Sequence, residues 1–570
     1  MEVSGPGRAL LERLLKENER RGFLDAPALE RIARSLALPS SRVFSIAGQL
    51  EHFNFLSRPA MMMNVCCGPA CALAGSGTLY DSAVQQMGGD DGGTGIHCSP
   101  GSPYWHHPIM VELNDRQKRR LAEKIKPADL GALKALVKGE SSGGLRLLAT
   151  GIEARAESLS PKGERVATHR RGKSRGGFAA FVEREWHSFA ELMSRQNART
   201  VQKIIEGSRL LDTMGGREFA SLIAELDDGE DGKRMVVCDV GGAELENSPG
   251  PTIASLDPVG VIEGMVIAAL AAGAGEALLF LPYEDPELRD LFIRLLAGLN
   301  KHRVAGVKLE LFAIPDFIPC DREIGMASLF RGLTLSEGVT RAKRSRRHLW
   351  GRDVLVSEPE VFASLPWLLS NGVKAYHDLR GSGTRVVSIG GKVKRPCLTE
   401  ASLGASLDEV ISDYAGGLPQ RSEIKAVHFG GAFGGPLRPG AKRSSLRSLY
   451  SRYGGAVGNQ ILAIDRSTCL VQWSEYFARL AERLCCGACV PGRLGPSYVL
   501  RVLSRIRSGD GQPSDLDEIV ATVDLMKETS LCPQGAKVLN PVVFSLQNFR
   551  KEFEEHVVER KCAAGVCWPR

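Results

Sequence analysis

The chain has 570 residues, 43% of them hydrophobic and 24% charged, and a formal net charge of +7. That length exceeds what one core organises and predicts three or four domains, while the composition excludes a disordered chain. A charge this small argues against a nucleic-acid binder unless it is concentrated in one place.

Residues 8–54 carry three helical patterns. Leu10, Leu11, Leu14 and Leu15 share one face of the first, and Ser40-Ser41 reads as the capping start of the third. A small helical module over 1–58 is expected. Met61 to Val65 then reads as a buried strand running into Cys66-Cys67-Gly68-Pro69-Ala70-Cys71. A helix, a Gly/Asp-rich turn at 88–95 and a strand from Pro108 to Leu113 follow. Strand, cysteine loop, helix and strand make a thioredoxin-like outline over 59–140.

The stretch 141–177 holds Arg165, His169, Arg170, Arg171, Lys173 and Arg175 among glycines and serines, and reads as a solvated linker. From 178 to 372, apolar strands at Met235 to Cys238, Ala277 to Leu281 and Val307 to Phe312 alternate with helical patterns, predicting an α/β domain. Val259 to Leu281 is the best membrane candidate, yet it carries Glu263 and Glu276 and reads as a buried helix followed by a strand. No direct membrane insertion is expected. The basic run Arg341, Lys343, Arg344, Arg346 and Arg347 reads as a solvated loop, and neither basic segment has interleaved aromatics, so no nucleic-acid partner is expected. Residues 373–466 turn to short strands and Gly-rich turns, a small β-rich module. Helical periodicity returns over 467–570.

The 14 cysteines fall in tight groups (66/67/71, 485/486/489 and 562/567), which is metal-ligand spacing more than disulfide spacing. With no hydrophobic run opening the chain, a reducing cytoplasm is expected. The most telling group is Cys485-Cys486-Gly487-Ala488-Cys489-Val490-Pro491-Gly492-Arg493, with Cys532 downstream. Three thiolates on one loop and a fourth from a distant segment are a common way to hold a four-iron cluster. Here Gly492 stands where the third thiolate belongs, and either Cys485 or a non-protein ligand would have to complete the set.

In this order of parts, and in Gly383 to Ser388, Arg395-Pro396, Leu349-Trp350-Gly351 with Leu365-Pro366-Trp367, Asp465 to Cys489, and Leu531-Cys532 through Glu555-His556, the chain resembles a fusion of two electron-input subunits. These are the small two-iron subunit and the flavin-bearing, NADH-binding subunit of respiratory complex I, found fused in the diaphorase of NAD-reducing hydrogenases. The resemblance implies an α/β multidomain fold. Its parts are a helical plus thioredoxin-like N-terminal domain, an α/β flavin-type domain, a small β-grasp-like domain, and a C-terminal helical bundle with an iron-sulfur loop.

It also implies FMN, NADH, a 2Fe-2S cluster and a 4Fe-4S cluster, each with named positions. The family's glycine-rich loop brings backbone amides to phosphate. Its match, Thr213 to Phe219, keeps Gly215 and Gly216 and adds Glu218; the lysine expected beyond it falls at Ala224. The next motif falls on Cys238 to Glu244, offering Asp239 and Glu244. A third falls on Cys320-Asp321-Arg322-Glu323, retaining Glu323, and an asparagine pair falls on Ser357-Glu358. The two-iron site offers Cys66, Cys71 and Cys98, with Ser102 in the last place and His106-His107 nearby. The four-iron site offers Cys485, Cys486, Cys489 and Cys532. Lys561 to Cys567 resembles the start of a ferredoxin extension and reads as a stub. Two functions follow: an NADH dehydrogenase-type electron-transfer subunit with a degraded flavin pocket, or a non-catalytic scaffold docking other subunits of a redox complex.

Overall fold

The computed structural model describes residues 6–50, 52–56, 61–87, 94–99, 109–114, 119–137, 145–148, 155, 159–160, 162–164, 166–168, 178–212, 216–226, 234–241, 248–299, 304, 306–315, 321–341, 348–349, 352–381, 383–419, 422–453 and 457–568. Among them the chain forms three five-stranded sheets and a C-terminal helical bundle.

The first sheet contains β1 (Met61–Cys66), β2 (Thr94–Ser99), β3 (Val111–Asn114), β4 (Arg119–Glu123) and β5 (Arg146–Leu148), in the order β2-β1-β3-β4-β5. β1 runs parallel to β2 and antiparallel to β3. Met63 and Val65 are buried while Met62 and Asn64 are half-buried, the period-two pattern of a strand with one inner face. The edge strand β2 escaped sequence reading because Thr-Gly-Ile-His-Cys-Ser is short, polar and glycine-bearing.

The second sheet contains β6 (Arg234–Asp239), β7 (Glu276–Pro282), β8 (Lys308–Ile314), β9 (His348–Leu349) and β10 (Arg352–Ser357), ordered β8-β7-β6-β10-β9. All but β9 run parallel. A parallel sheet is covered on both faces, which explains its near-continuous apolar runs. Val236, Cys238, Ala277 and Leu279 join one core, with helices Pro258–Ala272 and Pro359–Asp378. Met235, Val237, Leu278 and Phe280 join the other, with Leu10, Leu11, Leu14 and Leu15. The N-terminal helices therefore complete the α/β core, each buried leucine contributing roughly 2 kcal/mol. The first two span Pro6–Arg21 and Ala26–Ser35. The third begins at Ser40 itself with Pro39 at its cap position, so Ser40-Ser41 lies inside the helix.

The segment read as a membrane candidate is a buried helix followed by β7, and among the described residues no single helix is long and apolar enough to cross a membrane. Helix Pro258–Ala272 packs directly on Pro359–Asp378. A Cβ on Gly264 would fall 1.8 Å from the Phe362 carbonyl oxygen, so only glycine permits this approach.

The third sheet contains β11 (Thr384–Gly391), β12 (Cys397–Ser402), β13 (Ile424–Phe429), β14 (Gly435–Leu437) and β15 (Gln460–Asp465), ordered β12-β11-β15-β13-β14. β11 and β15 are parallel and the other pairs antiparallel. Helices Leu470–Leu484, Val490–Ser508, Asp515–Thr529 and Asn540–Val558 form the bundle around Trp473, Phe477, Leu503 and Phe553.

Parts of the stretch 141–177 depart from a solvated linker, while Leu147, Lys162 and Gly163 are exposed; the basic residues read there all lie outside the described residues. Arg155 is buried, paired with Asp285 and donating to Ser255 Oγ at 2.8 Å. The backbone N–H groups of Val166, Ala167 and Thr168 donate to the Glu400 carboxylate at 2.9, 2.9 and 3.0 Å. A buried carboxylate needs such donors, and these backbone amides need an acceptor, so this part of the segment is an internal strap.

Candidate functional site

The iron-sulfur loop joins two helices end to end. Cys485 is the C-cap residue of Leu470–Leu484, Gly487 turns the chain at φ +70°, and Cys489 is the N-cap residue of Val490–Ser508. Cys532 is the N-cap residue of Pro533–Lys537, its sulfur accepting from the Gly535 N–H at 3.3 Å. A Cβ on Gly492 would lie 3.2 Å from Cys489 Sγ and 3.9 Å from Cys485 Sγ. The sulfur of Cys485 thus reaches the space a side chain at 492 would enter. Burial pushes the Cys485 thiol up to about 12, and Cys532, Cys486 and Cys489 add to the rise. Burial likewise pushes Cys532 up to about 11, with Asp321, Cys486 and Cys489 contributing. The Cys485 and Cys532 thiols therefore resist ionising in the absence of a cation.

Cys486, Ala488, Leu531 and Cys532 pack against the core shared by the N-terminal helices and the second sheet. The loop therefore sits where the bundle meets the α/β domain. Asp321 N-caps helix Arg322–Phe330, accepting from Ile324 N at 3.2 Å, and its carboxylate bears on Cys532.

Arg322, the next residue, reaches the other predicted site. In the order β8-β7-β6-β10-β9 the connections reverse direction between β6 and β10, and an open parallel sheet offers its crevice at the carboxyl ends of such strands. Asp239 ends β6 and Ser357 ends β10. Asp239 is fully buried and held by Arg322 through both Nε and Nη2, the latter at 2.8 Å. Ser357 Oγ donates to Asp212 Oδ1 at 2.5 Å. Nearby, Glu218 pairs with Arg209 at 2.7 Å, and Arg217 pairs with Glu225. Gly216 takes φ +60°, its N–H donating to Asp212 O at 3.0 Å. Glu323 lies half-buried in the first turn of its helix. Gly215, Glu244 and Cys320 lie outside the described residues.

Sequence reading named Asp239 but missed its partner. An arginine at 322 needs an anion when buried, but nothing in the sequence names Asp239 as that anion.

In the first sheet Cys66 ends β1 and Cys71 lies in the helix Pro69–Leu73; both are fully buried with Met110 and Leu121. Cys98 stands on β2 opposite Val65. Ser102 and His106-His107 lie outside the described residues. Tyr476 of the bundle donates to the Cys67 carbonyl at 2.8 Å, so this cysteine loop docks on the same helix that carries Cys485.

In fold and in its cysteine sites the chain is similar to a fusion of a thioredoxin-like two-iron subunit with a flavin/NADH-type subunit bearing an iron-sulfur bundle. Residues 2–96 match the family model of the thioredoxin-like 2Fe-2S ferredoxin, and residues 472–556 match that of the NADH-ubiquinone oxidoreductase-F iron-sulfur binding region. The chain is similar to the NADP-reducing hydrogenase subunit HndC of Solidesulfovibrio fructosivorans, 28% identical over 55% of this chain and 66% of HndC. It is also similar to an F-type component of the NADH-quinone oxidoreductase of Rhizobium meliloti, 26% identical over 56% of this chain and 80% of that protein. A solved NAD+-reducing NiFe hydrogenase chain shares the fold, with TM-score 0.77 at 18% identity over 98% of this chain and 94% of its own.

Proposed function

We propose that this chain is an NADH dehydrogenase-type electron-transfer subunit whose working centre is a four-iron cluster held by Cys485, Cys486, Cys489 and Cys532. The carrying observation is Cys485 Sγ, 3.9 Å from a Cβ position on Gly492: the ligand lost at 492 is supplied from the preceding helix end. Such a cluster, when bound, supplies one-electron transfer. The chain's own residues set its surroundings. Two helix N-termini, at Cys489 and Cys532, turn positive dipole ends towards the thiolates, and the Gly535 N–H on Cys532 sulfur favours the reduced state. Partners are other subunits of a redox complex, as the names of the relatives suggest.

The flavin and NADH pocket is degraded in this reading. A flavin phosphate needs a cation and unobstructed amides, whereas Arg322 is committed to Asp239, Arg217 to Glu225 and Arg209 to Glu218. These residues do not fit FMN, and no hydride step is assigned. The two-iron site receives no electron step either, since serine at 102 ligates iron far less readily than thiolate.

A second reading, a scaffold docking partner subunits without redox work, is favoured by the same charge pairing. Flavin, iron and acid-labile sulfide in anaerobically purified protein separate the two. Iron with sulfide but no flavin supports the relay, absence of all three supports the scaffold, and stoichiometric flavin overturns the degraded pocket.

A further inference from the structure

We propose that Glu360 is a proton-holding latch between the α/β domain and the β-rich domain: it keeps its proton at neutral pH, and giving that proton to solvent at alkaline pH loosens the seam between the second and third sheets. Glu360 is buried in the first turn of helix Pro359–Asp378, which follows β10 of the second sheet. Its Oε1 accepts from the Val386 N–H of β11 at 2.8 Å, a direct bond to the third sheet.

Counting donors separates the two buried glutamates at this seam. Glu400, on β12, takes five: the N–H groups of Val166, Ala167 and Thr168, and the hydroxyls of Thr168 and Thr384. Those are the surroundings of a carboxylate. Glu360 takes only the Val386 N–H. Its Oε2 is buried with no hydrogen-bond partner among the described residues, and so is Arg385 Nε. A buried carboxylate with a single donor is costly, whereas an un-ionised carboxyl is far cheaper to bury.

The charges around it act in the same sense. Facing Glu360 are Arg385 from β11, Glu400 from β12, and Glu358 and Tyr376 beside it on its own helix and cap. Asp212 and Tyr450 lie against Arg385, and Arg447 faces Tyr376. Arg385 is the buried cation of this group, while Glu400 and Asp212 are buried carboxyls besides Glu360. One positive charge among three such acids favours a proton on the one with fewest donors. Burial pushes Glu360 up to about 8, with Arg385 and the Val386 N–H opposing and Glu400 and Glu358 adding.

Ionised Glu360 has two sources of a further donor, Arg385 Nε and water. Arg385 now donates Nη2–H to the Asp212 carbonyl at 3.4 Å and stands 4.8 Å over the Tyr450 ring, so turning to Glu360 draws it from both. Water would part the helix from β11. An acid that holds its proton more tightly when folded gives stability that is complete below its ordinary value of 4.5 and is lost as pH rises towards 8.

The test is infrared spectroscopy of the full-length chain carrying isotope-labelled glutamate. At pH 6.5 the parent should show the carbonyl stretch of an un-ionised glutamate, and the band should titrate away around pH 8. Glu360→Gln should lack the band and Glu400→Gln should keep it. Glu360→Asp retains an acid but removes the label, so it too should lose the labelled band, and it decides the assignment if Glu360→Gln fails to fold. Urea denaturation gives a second readout: from pH 6.5 to 8 the folding equilibrium constant of the parent should fall about fifteenfold relative to that of Glu360→Gln. The proposal is overturned by absence of the band in the parent, by its survival in Glu360→Gln or Glu360→Asp, by its loss in folded Glu400→Gln, or by equal pH dependence in the parent and Glu360→Gln.

Discussion

Cys485 and Gly492 are complementary: the sulfur of one lies 3.9 Å from the point where a side chain on the other would begin. Cys485 stands at the end of one helix and Gly492 in the first turn of the next, and the loop between them keeps the two positions side by side.

Cys485→Ala should strip the chain of its cluster, with iron and sulfide falling together and the visible absorption bleaching. Adding Gly492→Cys in that background should restore it, because the new thiolate enters the vacated space beside Cys489. If Cys485→Ala keeps its full iron and sulfide, the fourth ligand is something else.

Arg322 and Asp239 are both buried, and the pair is worth more as a unit than as a sum. Asp239→Ala alone should cost about 3–5 kcal/mol, since it leaves a buried guanidinium without its carboxylate. Asp239→Ala with Arg322→Met should recover most of that loss. Urea denaturation of the three variants forms a cycle, and simple additivity of the two single effects would show that the pair is not coupled.

His428 predicts a dependence of stability on pH. Its ring is buried, accepts from Trp473 Nε1–H at 3.2 Å, donates Nε2–H to the Gly431 carbonyl at 2.8 Å and stacks on Phe477 at 4.7 Å. Burial lowers its pKa to about 4, the Gly431 contact opposing only in part. The folded state thus holds the neutral ring while the unfolded chain takes up a proton below about 6.5. Stability from this group is complete above pH 6.5 and is lost as pH falls towards 4. Between pH 7.5 and 5 the loss is about 2 kcal/mol. Denaturation of His428→Gln at the two pH values should lack this difference; an unchanged pH slope would refute the assignment.

Glu400 anchors the strap at 166–168 with both carboxylate oxygens, and also accepts from Thr168 Oγ1 and Thr384 Oγ1, each at 2.8 Å. Glu400→Ala would leave three backbone N–H groups without their acceptor and should destabilise by about 3 kcal/mol or more. Limited proteolysis should then cut between residues 160 and 178 sooner than in the parent. Equal cleavage rates would mean that the strap is held by other contacts.

The strands β1, β3, β6, β7 and β8 and the helical bundle were legible, because strand patterns such as those at β1 and β6 and the helical period after Thr468 are local; the third sheet was legible only as a β-rich stretch. β2 was not, since its residues show no apolar alternation and it is defined by pairing with β1. The cysteine loop at 485–489 could be read from spacing alone. The Arg322 to Asp239 contact could not, because its partners stand 83 residues apart and neither has a pattern that names the other.

By itself, the sequence determined the strongly periodic strands and helices, which cysteines travel in groups, and that position 492 has no thiol. Only the tertiary structure decided that Cys485 faces the vacated place, that the stretch read as a linker is gripped by Glu400, and that Glu360 meets Val386 across the seam of two sheets. The reason is physical: periodicity follows from the local rise and turn of the backbone, whereas a ligand set or buried ion pair exists only once distant helix ends and strand ends are packed within bonding distance.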